Sequence, residues 1–296
     1  MQVIEKMVWT FSKDNEPVYK AEPGEVLLFK TQDCFDGQFT SESQLVHQLD
    51  LTKANPATGP IYINGASNGD VLAVDILDIK VGEVGFACSI PGAGPLAQLA
   101  EVRTRMFKIE NGIAHYNDIK WHIDPMIGVI GTAPAEGESA CGYMGDHGGN
   151  IDSRLIKKGA RVYFPVRVDG ALLQLGDLHA SQGDGEVCGT GIEIAGEVVA
   201  KVSLIKKFTL NWPLTETPDY WFINTTSESY EESLRLACEE LARLACDAYG
   251  WDVTDFYLYL SVQGRVALNQ AMLPMTPQMV NVRVGIPKLT DKKRLI

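Results

Sequence analysis

The sequence predicts a mainly β protein of the α+β class, and three observations support this. Segments rich in β-branched residues recur through the first 210 residues, and turn residues separate them. Few long helical patterns lie between these segments, which favours an antiparallel sandwich or barrel over repeated βαβ units. The chain has 296 residues, of which 45% are hydrophobic, so it can bury a large core.

Seven segments have the strand pattern, at residues 25–31, 60–66, 70–81, 127–133, 161–168, 171–180 and 198–205. We therefore predict that residues 1–210 form a β-rich sandwich or barrel core that carries the functional site. Residues 211–296 are predicted to form an α/β part that packs on this core, so that the whole chain is one compact unit.

One prominent helix is predicted at about residues 229–249. Ser229 and Glu232 have the spacing of a capping box, and Gly250 supplies a C-terminal stop. Apolar residues recur at helical spacing along one face, namely Leu234, Ala237, Cys238, Leu241, Ala245 and Ala248. The aromatic segment that follows, residues 255–262, is predicted to be another strand.

Charge and composition disfavour several classes of protein. The net charge is −12, with 26 basic and 38 acidic residues, which disfavours binding to nucleic acid and to anionic membrane surfaces. We expect no secretory signal, because the first thirty residues mix charged and apolar residues without an apolar h-region. We expect no membrane span, because no apolar run reaches about 18 residues. The six cysteines form no CxxC pair and are expected to be reduced thiols. These features predict a cytoplasmic enzyme that acts on a neutral or cationic small molecule.

The densest group of reactive side chains is the segment GDLHASQGDGE, residues 176–186. Asp177 and His179 are two residues apart, so both side chains would project from the same face of a strand. Asp184 and Glu186 have the same spacing, and the glycines between them let the backbone turn tightly. Between Arg167 and Lys201 there is no lysine or arginine. Uncompensated carboxylates repel each other, so such a stretch usually holds a cation or retains a proton.

A second cluster lies upstream in MGDHGGNID, residues 144–152. It places His147, Asn150 and Asp152 around a pair of glycines. Imidazole with carboxylates suits Zn²⁺, whereas loops rich in carboxylates and amides suit Ca²⁺ or Mg²⁺. The two clusters could therefore converge on one metal and its bound water.

With these residues identified, the sequence resembles the acetamidase/formamidase family along most of its length. The matching blocks are residues 31–38, 55–70, 127–135, 147–152, 170–193 and 266–270. The resemblance implies hydrolysis of short aliphatic amides to a carboxylate and ammonia, with a divalent metal, Zn or else Ca, as cofactor. It also implies a jelly-roll-like β-sandwich elaborated with β-barrel-like and α/β layers, and a homo-oligomer.

We assign roles to the site residues as hypotheses. The predicted metal ligands are Asp152, Asp177, His179 and Asp184. The predicted catalytic residues are Glu186 and His147, either of which could be the proton shuttle. The predicted substrate-binding residues are Asp33, Gln38, Asn150 and Gln182. A metal-activated water would attack the amide, because metal binding lowers the pKa of water to about 7.

Two alternatives remain open from the sequence. The first is a metal-independent amidase with a cysteine nucleophile, either Cys141 or Cys34. The second is a non-catalytic, cation-stabilised β-sandwich that binds a ligand, in which the glycine-rich acidic clusters would be structural loops.

Overall fold

The structure is a computed structural model that describes residues 1–271 and 279–296. Strands account for 41% of the residues and helices for 13%, so the mainly β class is confirmed. In the described part of the chain, neither α-helix is long and apolar enough to cross a membrane.

The described residues contain 22 strands and two α-helices. The strands are β1 (Gln2–Ile4), β2 (Met7–Val8), β3 (Thr10–Ser12), β4 (Tyr19–Ala21), β5 (Val26–Thr31), β6 (Ala57–Ile63), β7 (Val71–Val81), β8 (Val84–Cys88), β9 (Thr104–Glu110), β10 (Ile113–Tyr116), β11 (Ile119–His122), β12 (Met126–Gly131), β13 (Glu138–Ala140), β14 (Met144–Gly145), β15 (Gly148–Asn150), β16 (Arg161–Pro165), β17 (Leu173–His179), β18 (Gly196–Ile205), β19 (Leu214–Glu216), β20 (Tyr220–Ser227), β21 (Arg265–Gln270) and β22 (Val280–Pro287). The helices are α1 (Tyr230–Tyr249) and α2 (Val253–Gln263).

Each of the seven predicted strand segments coincides with or overlaps a strand, in order β5, β6, β7, β12, β16, β17 and β18. The prediction omitted β8 to β11, which form a four-stranded sheet of their own. Because β10 and β11 are largely exposed, their sequences lack the apolar alternation that marks a half-buried strand.

Two large open sheets organise the described part of the chain. The larger has nine strands in the order β1-β5-β18-β7-β16-β19-β20-β22-β21. The other has the order β14-β15-β12-β17-β6-β2, with β4 also paired to β6. The nine-stranded sheet combines strands from before and after residue 210, and the division into residues 1–210 and 211–296 stays a prediction.

The two large sheets pack face to face around a shared hydrophobic core. Leu72 and Val74 of β7 enter this core from one side, and Ile127 and Leu175 enter it from the other. This arrangement is a sandwich with apolar inner faces. It buries β12 and β17, the strands that carry the candidate site.

The outer face of the nine-stranded sheet packs against α1. Val71 and Ala73 point to this side of β7, because successive strand residues alternate between faces. They contribute to a second hydrophobic core together with Leu241 and Ala245 of α1. Strand β7 is therefore buried on both sides.

The predicted helix is confirmed as α1, although its N-terminal cap is simpler than expected. The Ser229 hydroxyl accepts a hydrogen bond from the Glu232 amide at 3.2 Å, and Gly250 ends the helix with a φ of 69°. The Glu232 carboxylate does not complete the capping box. It accepts from Arg235 at 2.6 Å instead, while the Ser229 amide donates to Ser227.

The prediction of a strand at residues 255–262 is wrong, because this segment belongs to α2. The Asp252 carboxylate caps the helix by accepting from the amides of Thr254 and Asp255 at 2.8 and 2.9 Å. An N-cap of this kind satisfies amides that a helix leaves free at its start. The cap and the packing of Phe256 outweigh the β propensity of the aromatic residues.

Candidate functional site

The candidate site lies at the end of β17, inside the seven-stranded sheet. Asp177 and His179 are both buried, and Oδ1 of Asp177 lies 3.3 Å from Nε2 of His179. The structure therefore brings together the two residues that the sequence placed on one strand face. Asp177 has a φ of 55°, a left-handed conformation that residues other than glycine rarely adopt.

Glu193 faces this pair from the segment that connects β17 to β18. It forms backbone bridges with His179 on one side and Phe86 on the other. Residues directly opposite each other in an antiparallel pair have side chains on the same face, about 5 Å apart. Accordingly, Oε2 of Glu193 lies 3.1 Å from Nε2 of His179.

Gln182 fixes the orientation and the tautomer of His179. Its Nε2 donates to the backbone carbonyl of Asp152 at 2.6 Å, so its Oε1 is the end that faces Nδ1 of His179, at 2.7 Å. Because Oε1 can only accept, Nδ1 carries the hydrogen. In the neutral imidazole the lone pair is then on Nε2, directed at Asp177 and Glu193.

One amide bridges two more carboxylates. Nε2 of Gln270, at the end of β21, donates to Asp152 at 2.8 Å and to Glu186 at 2.6 Å. The loop of Glu186 is attached to β21, since Gly185 pairs with Gln270. Asp152 and Glu186 also have left-handed φ values, 53° and 44°. Strained conformations of this kind cluster at functional sites.

A glycine leaves room for two of the carboxylates. A Cβ atom on Gly128 of β12 would lie 2.6 Å from Oδ1 of Asp152 and 2.8 Å from Oδ2 of Asp177. These two side chains therefore converge over Gly128, and a larger residue at this position would collide with both.

A cavity of about 140 Å³ connects these groups. Its polar side is formed by Asn55, Asn150, Asp152, Asp177, Glu186, Glu193 and Gln270, and its apolar side includes Phe35 and Ile90. The Cys34 side chain also lines it. Nδ2 of Asn55 donates to Oδ2 of Asp177 at 2.9 Å, which holds this carboxylate against the cavity.

Burial and mutual repulsion make these acids hard to ionise. Burial raises the pKa of Glu193 to about 8, and the charge of Asp177 adds to the effect. Burial also raises the pKa of Asp152 well above its usual value and raises that of Glu186. For His179, burial lowers the pKa, but Glu193 and Asp177 outweigh this and hold it well above the usual value. The cluster therefore retains protons in the absence of other positive charge.

The donor atoms fit a divalent cation. Two neighbouring groups, Asp152 with His179 and Glu186, and Cys34 with Asp177 and Glu193, each have ligand atoms within 4.8 Å of one another. Oδ1 of Asp152 and Oε2 of Glu193 are buried and accept no hydrogen bond from the described residues. A bound cation would replace the proton on Nε2 of His179, and this nitrogen and the two carboxylate oxygens would then form the imidazole and carboxylate set that suits Zn²⁺.

His147 is not among the residues that line the cavity. Its ring packs edge-on against Phe11 at 5.1 Å, and burial lowers its pKa to about 4. Asn150, three residues later, does line the cavity. Oδ1 of Asn150 is buried and has no partner among the described residues, so it is available to a ligand.

Three other predicted site residues, Asp33, Gln38 and Asp184, do not line the cavity. Asp184 is paired with Arg283 at 2.6 Å, and its side chain is 44% exposed. The Asp33 carboxylate accepts from the backbone amides of Phe35 and Gly37 and so shapes the loop that carries Cys34. Gln38 binds the backbone of Asp50 through both ends of its amide. Their predicted roles at a metal or a substrate stay predictions.

Sequence reasoning did not select Glu193, Asn55 or Gln270 as site residues. Glu193 belongs to the stretch without basic residues, and the other two lie in blocks 55–70 and 266–270 of the family resemblance. No spacing rule links these three positions to residues 176–186. Only strand pairing and the attachment of the 183–186 loop to β21 bring them to the site.

Comparisons of the sequence and the structure with known proteins indicate the same family. The sequence model of the acetamidase/formamidase family matches residues 5–139 and 142–272. The crystal structure of an acetamidase from Bacillus halodurans has a TM-score of 0.92 and 36% identity, covering 96% of this chain and 97% of that chain. A predicted acetamidase/formamidase from Thermoanaerobacter tengcongensis has a TM-score of 0.92 and 37% identity, covering 97% and 95%.

A formamidase from Methylophilus methylotrophus is 30% identical over 247 residues, which are 62% of this chain and 60% of the relative. This chain therefore matches about three fifths of the length of that relative.

Proposed function

The chain belongs to the acetamidase/formamidase family, and on this premise we propose that it hydrolyses short aliphatic amides to a carboxylate and ammonia. The observation that carries the proposal is a small cavity, about 140 Å³, lined by four buried carboxylates, two of which contact the His179 imidazole. Pockets for drug-sized ligands are about 300–1,000 Å³, so this volume favours a substrate of few atoms.

We propose that Asp177, His179 and Glu193 hold a divalent cation, Zn²⁺ in preference to Ca²⁺. When bound, such a cation supplies the charge that lowers the pKa of a water and polarises an amide carbonyl. Asp152 lies close enough to be a further ligand. We leave Asp184 out of the set, because Arg283 already balances its charge.

Glu186 is our choice for proton transfer. Burial raises the pKa of this acid and so favours its protonated form, which can give a proton to the departing nitrogen. The bond from Gln270 holds the carboxyl group in place. His147 is a weaker choice, because it does not line the cavity with the other groups.

Asn150 is our choice for substrate orientation. Its Oδ1 has no partner among the described residues and can accept a hydrogen bond from the NH₂ group of an amide. Gln182 already uses both ends of its side chain on His179 and Asp152, so we propose that it positions the imidazole rather than the substrate.

The test is ammonia release from formamide, acetamide and longer amides, together with metal analysis of the same sample. Glu186→Gln should retain the metal and lose turnover by about 10²-fold or more, while His179→Ala should lose the metal. Asp184→Asn is the matched control and should retain both. Full activity in chelator-treated enzyme would overturn the mechanism, and no ammonia from any amide would favour the non-catalytic alternative.

The cysteine-nucleophile alternative retains one supporting observation, because Cys34 lines the cavity. Burial raises the pKa of Cys34 well above its usual value, however, so the reactive thiolate is disfavoured. Cys141 packs in a small apolar cluster with Phe11 and Val129. If Cys34→Ala retains both metal and turnover, a thiol nucleophile at this position is excluded.

We also propose a homo-oligomer located in the cytoplasm, with no nucleic-acid partner. The outer face of α2 supports an oligomer, because Tyr257, Leu258 and Val262 are 70%, 61% and 76% exposed. The net charge of −12 argues against nucleic acid. Light scattering of the purified protein tests the oligomer, and a mass equal to one chain would contradict it.

A further inference from the structure

The apolar side of the cavity is formed by two large side chains with different supports. Phe35 comes from the loop after β5, and Ile90 from the loop after β8. They are the two large apolar side chains among the residues that line the cavity, which also include four carboxylates. An amide bound with its polar group toward the carboxylates would therefore direct its acyl chain toward Phe35 and Ile90.

Phe35 is a fixed part of this wall. Its ring packs against Phe39 with centroids 5.5 Å apart and against Phe86 at 6.0 Å, and all three are buried. A side chain in such a cluster cannot move without disturbing its neighbours. Phe35 thus limits the cavity on one side for every substrate.

Ile90 forms a partition between two spaces, and it packs as a partly buried residue against the hydrophobic cluster that contains Phe35 and Phe86. It lines the cavity and also a second, superficial pocket of about 70 Å³, formed with Leu96, Val187 and Cys188. Its backbone amide donates to the carbonyl of Cys188 at 3.1 Å, which holds the residue between the two spaces. Truncation of this one side chain would therefore connect the cavity with the pocket behind it.

We propose that Ile90 determines substrate specificity by setting the upper limit on acyl-chain length. On this proposal the cavity accepts formamide and acetamide, and the Ile90 side chain opposes acyl chains of three or four carbons. This inference rests on the proposed amide hydrolysis and defines its substrate range.

The test is the ratio of kcat/KM for butyramide to that for acetamide. One methylene group in an apolar pocket changes discrimination by about 10- to 200-fold, so Ile90→Ala should raise the ratio by at least about tenfold. Ile90→Phe should act in the opposite direction, lowering activity on acetamide more than on formamide. Metal content should stay unchanged in both variants.

Leu96→Ala is the matched control. Leu96 lines the superficial pocket but not the cavity, and it is 62% exposed. Its truncation enlarges the pocket and leaves the partition intact, so the ratio should not change. A ratio that shifts equally in Leu96→Ala, or one that stays at the wild-type value in Ile90→Ala, would overturn the inference.

A binding measurement separates this inference from the proposed function. Binding of butyramide and acetamide can be compared in Glu186→Gln and in Glu186→Gln/Ile90→Ala by calorimetry, without turnover. Butyramide should gain affinity over acetamide only in the double variant. If the wild-type enzyme releases no ammonia, hydrolysis is wrong, and this comparison still decides whether Ile90 limits the chain.

Discussion

Each carboxylate of the site is held in an unfavourable state. Asp152, Asp177 and Glu186 have φ values of 53°, 55° and 44°, and a left-handed non-glycine residue costs about 1–3 kcal/mol. Their burial beside Glu193 adds repulsion between like charges. Local conformation and electrostatics both disfavour this arrangement, which is typical of sites selected for function rather than for stability.

His147 should make the protein sensitive to acid. Its pKa is about 4 in the folded state and about 6.5 when unfolded, so the unfolded state binds more protons between these values. Stability is therefore complete above about pH 6.5 and falls by roughly 3 kcal/mol as the pH drops to about 4. Urea unfolding of wild type and His147→Gln over this range should show a flatter profile for the variant.

The control is His47→Gln, since His47 is exposed, and its profile should follow that of the wild type. Parallel profiles for wild type and His147→Gln would contradict the prediction. Turnover measured on the same samples would also test the catalytic role predicted for His147.

At the scale of elements, the close approach of β12 and β17 decides whether the site can form. These strands pair in antiparallel register from Met126 opposite His179 to Gly131 opposite Gln174. Gly128 lies within this pairing, and the space above it accommodates both Asp152 and Asp177. The role of this glycine is therefore to leave volume for the site.

Gly128→Ala should remove cation binding and activity. The new methyl group would lie within 3 Å of two carboxylate oxygens, so at least one carboxylate must move. The bound metal and the rate of ammonia release should both fall by about 10-fold or more, which is the effect of displacing a metal ligand or a residue that supports one. Gly183→Ala is the control, because its Cβ would meet no atom within 4 Å. An active, metal-loaded Gly128→Ala protein would contradict the prediction.

At the scale of the whole molecule, the site connects separate sheets. Gln270 comes from the nine-stranded sheet, His179 from the seven-stranded sheet, and Glu193 bridges the latter to the four-stranded sheet. A cation bound between these groups would stabilise the folded chain by mass action, by about 2.7 kcal/mol at 100 times its Kd.

Without a cation, stability should fall as the pH rises. The folded pKa of Glu193 is about 8 and its unfolded value is about 4.3, so the folded state binds more protons between these values and the stabilisation is complete below about pH 4.3. It falls as the pH rises from there to about 8, at up to about 1.4 kcal/mol per pH unit for each such group. Urea unfolding in chelator from pH 5 to 8 should show this decline, and added Zn²⁺ should remove it. Equal slopes with and without Zn²⁺ would contradict the prediction.

The sequence predicted only those contacts of the site that lie within one strand. Asp177 and His179 could be paired from sequence because a two-residue spacing in a strand determines their common face. Asp184 has the same spacing from Glu186, yet it lies against Arg283, almost one hundred residues away. The loop after β17 follows no regular period, so the spacing of its residues does not determine where each carboxylate points.

The sequence by itself determined the mainly β class, seven of the strands, helix α1 and the two segments that supply most of the acidic side chains. These features depend on short-range periodicity, capping and composition, which act between neighbouring residues. Only the tertiary structure decided that Glu193 lies opposite His179, that Gln270 joins Asp152 to Glu186 and that residues 255–262 are helical. Each of these depends on contacts between distant segments or on competition between a cap and intrinsic propensity, and a local pattern does not contain that information.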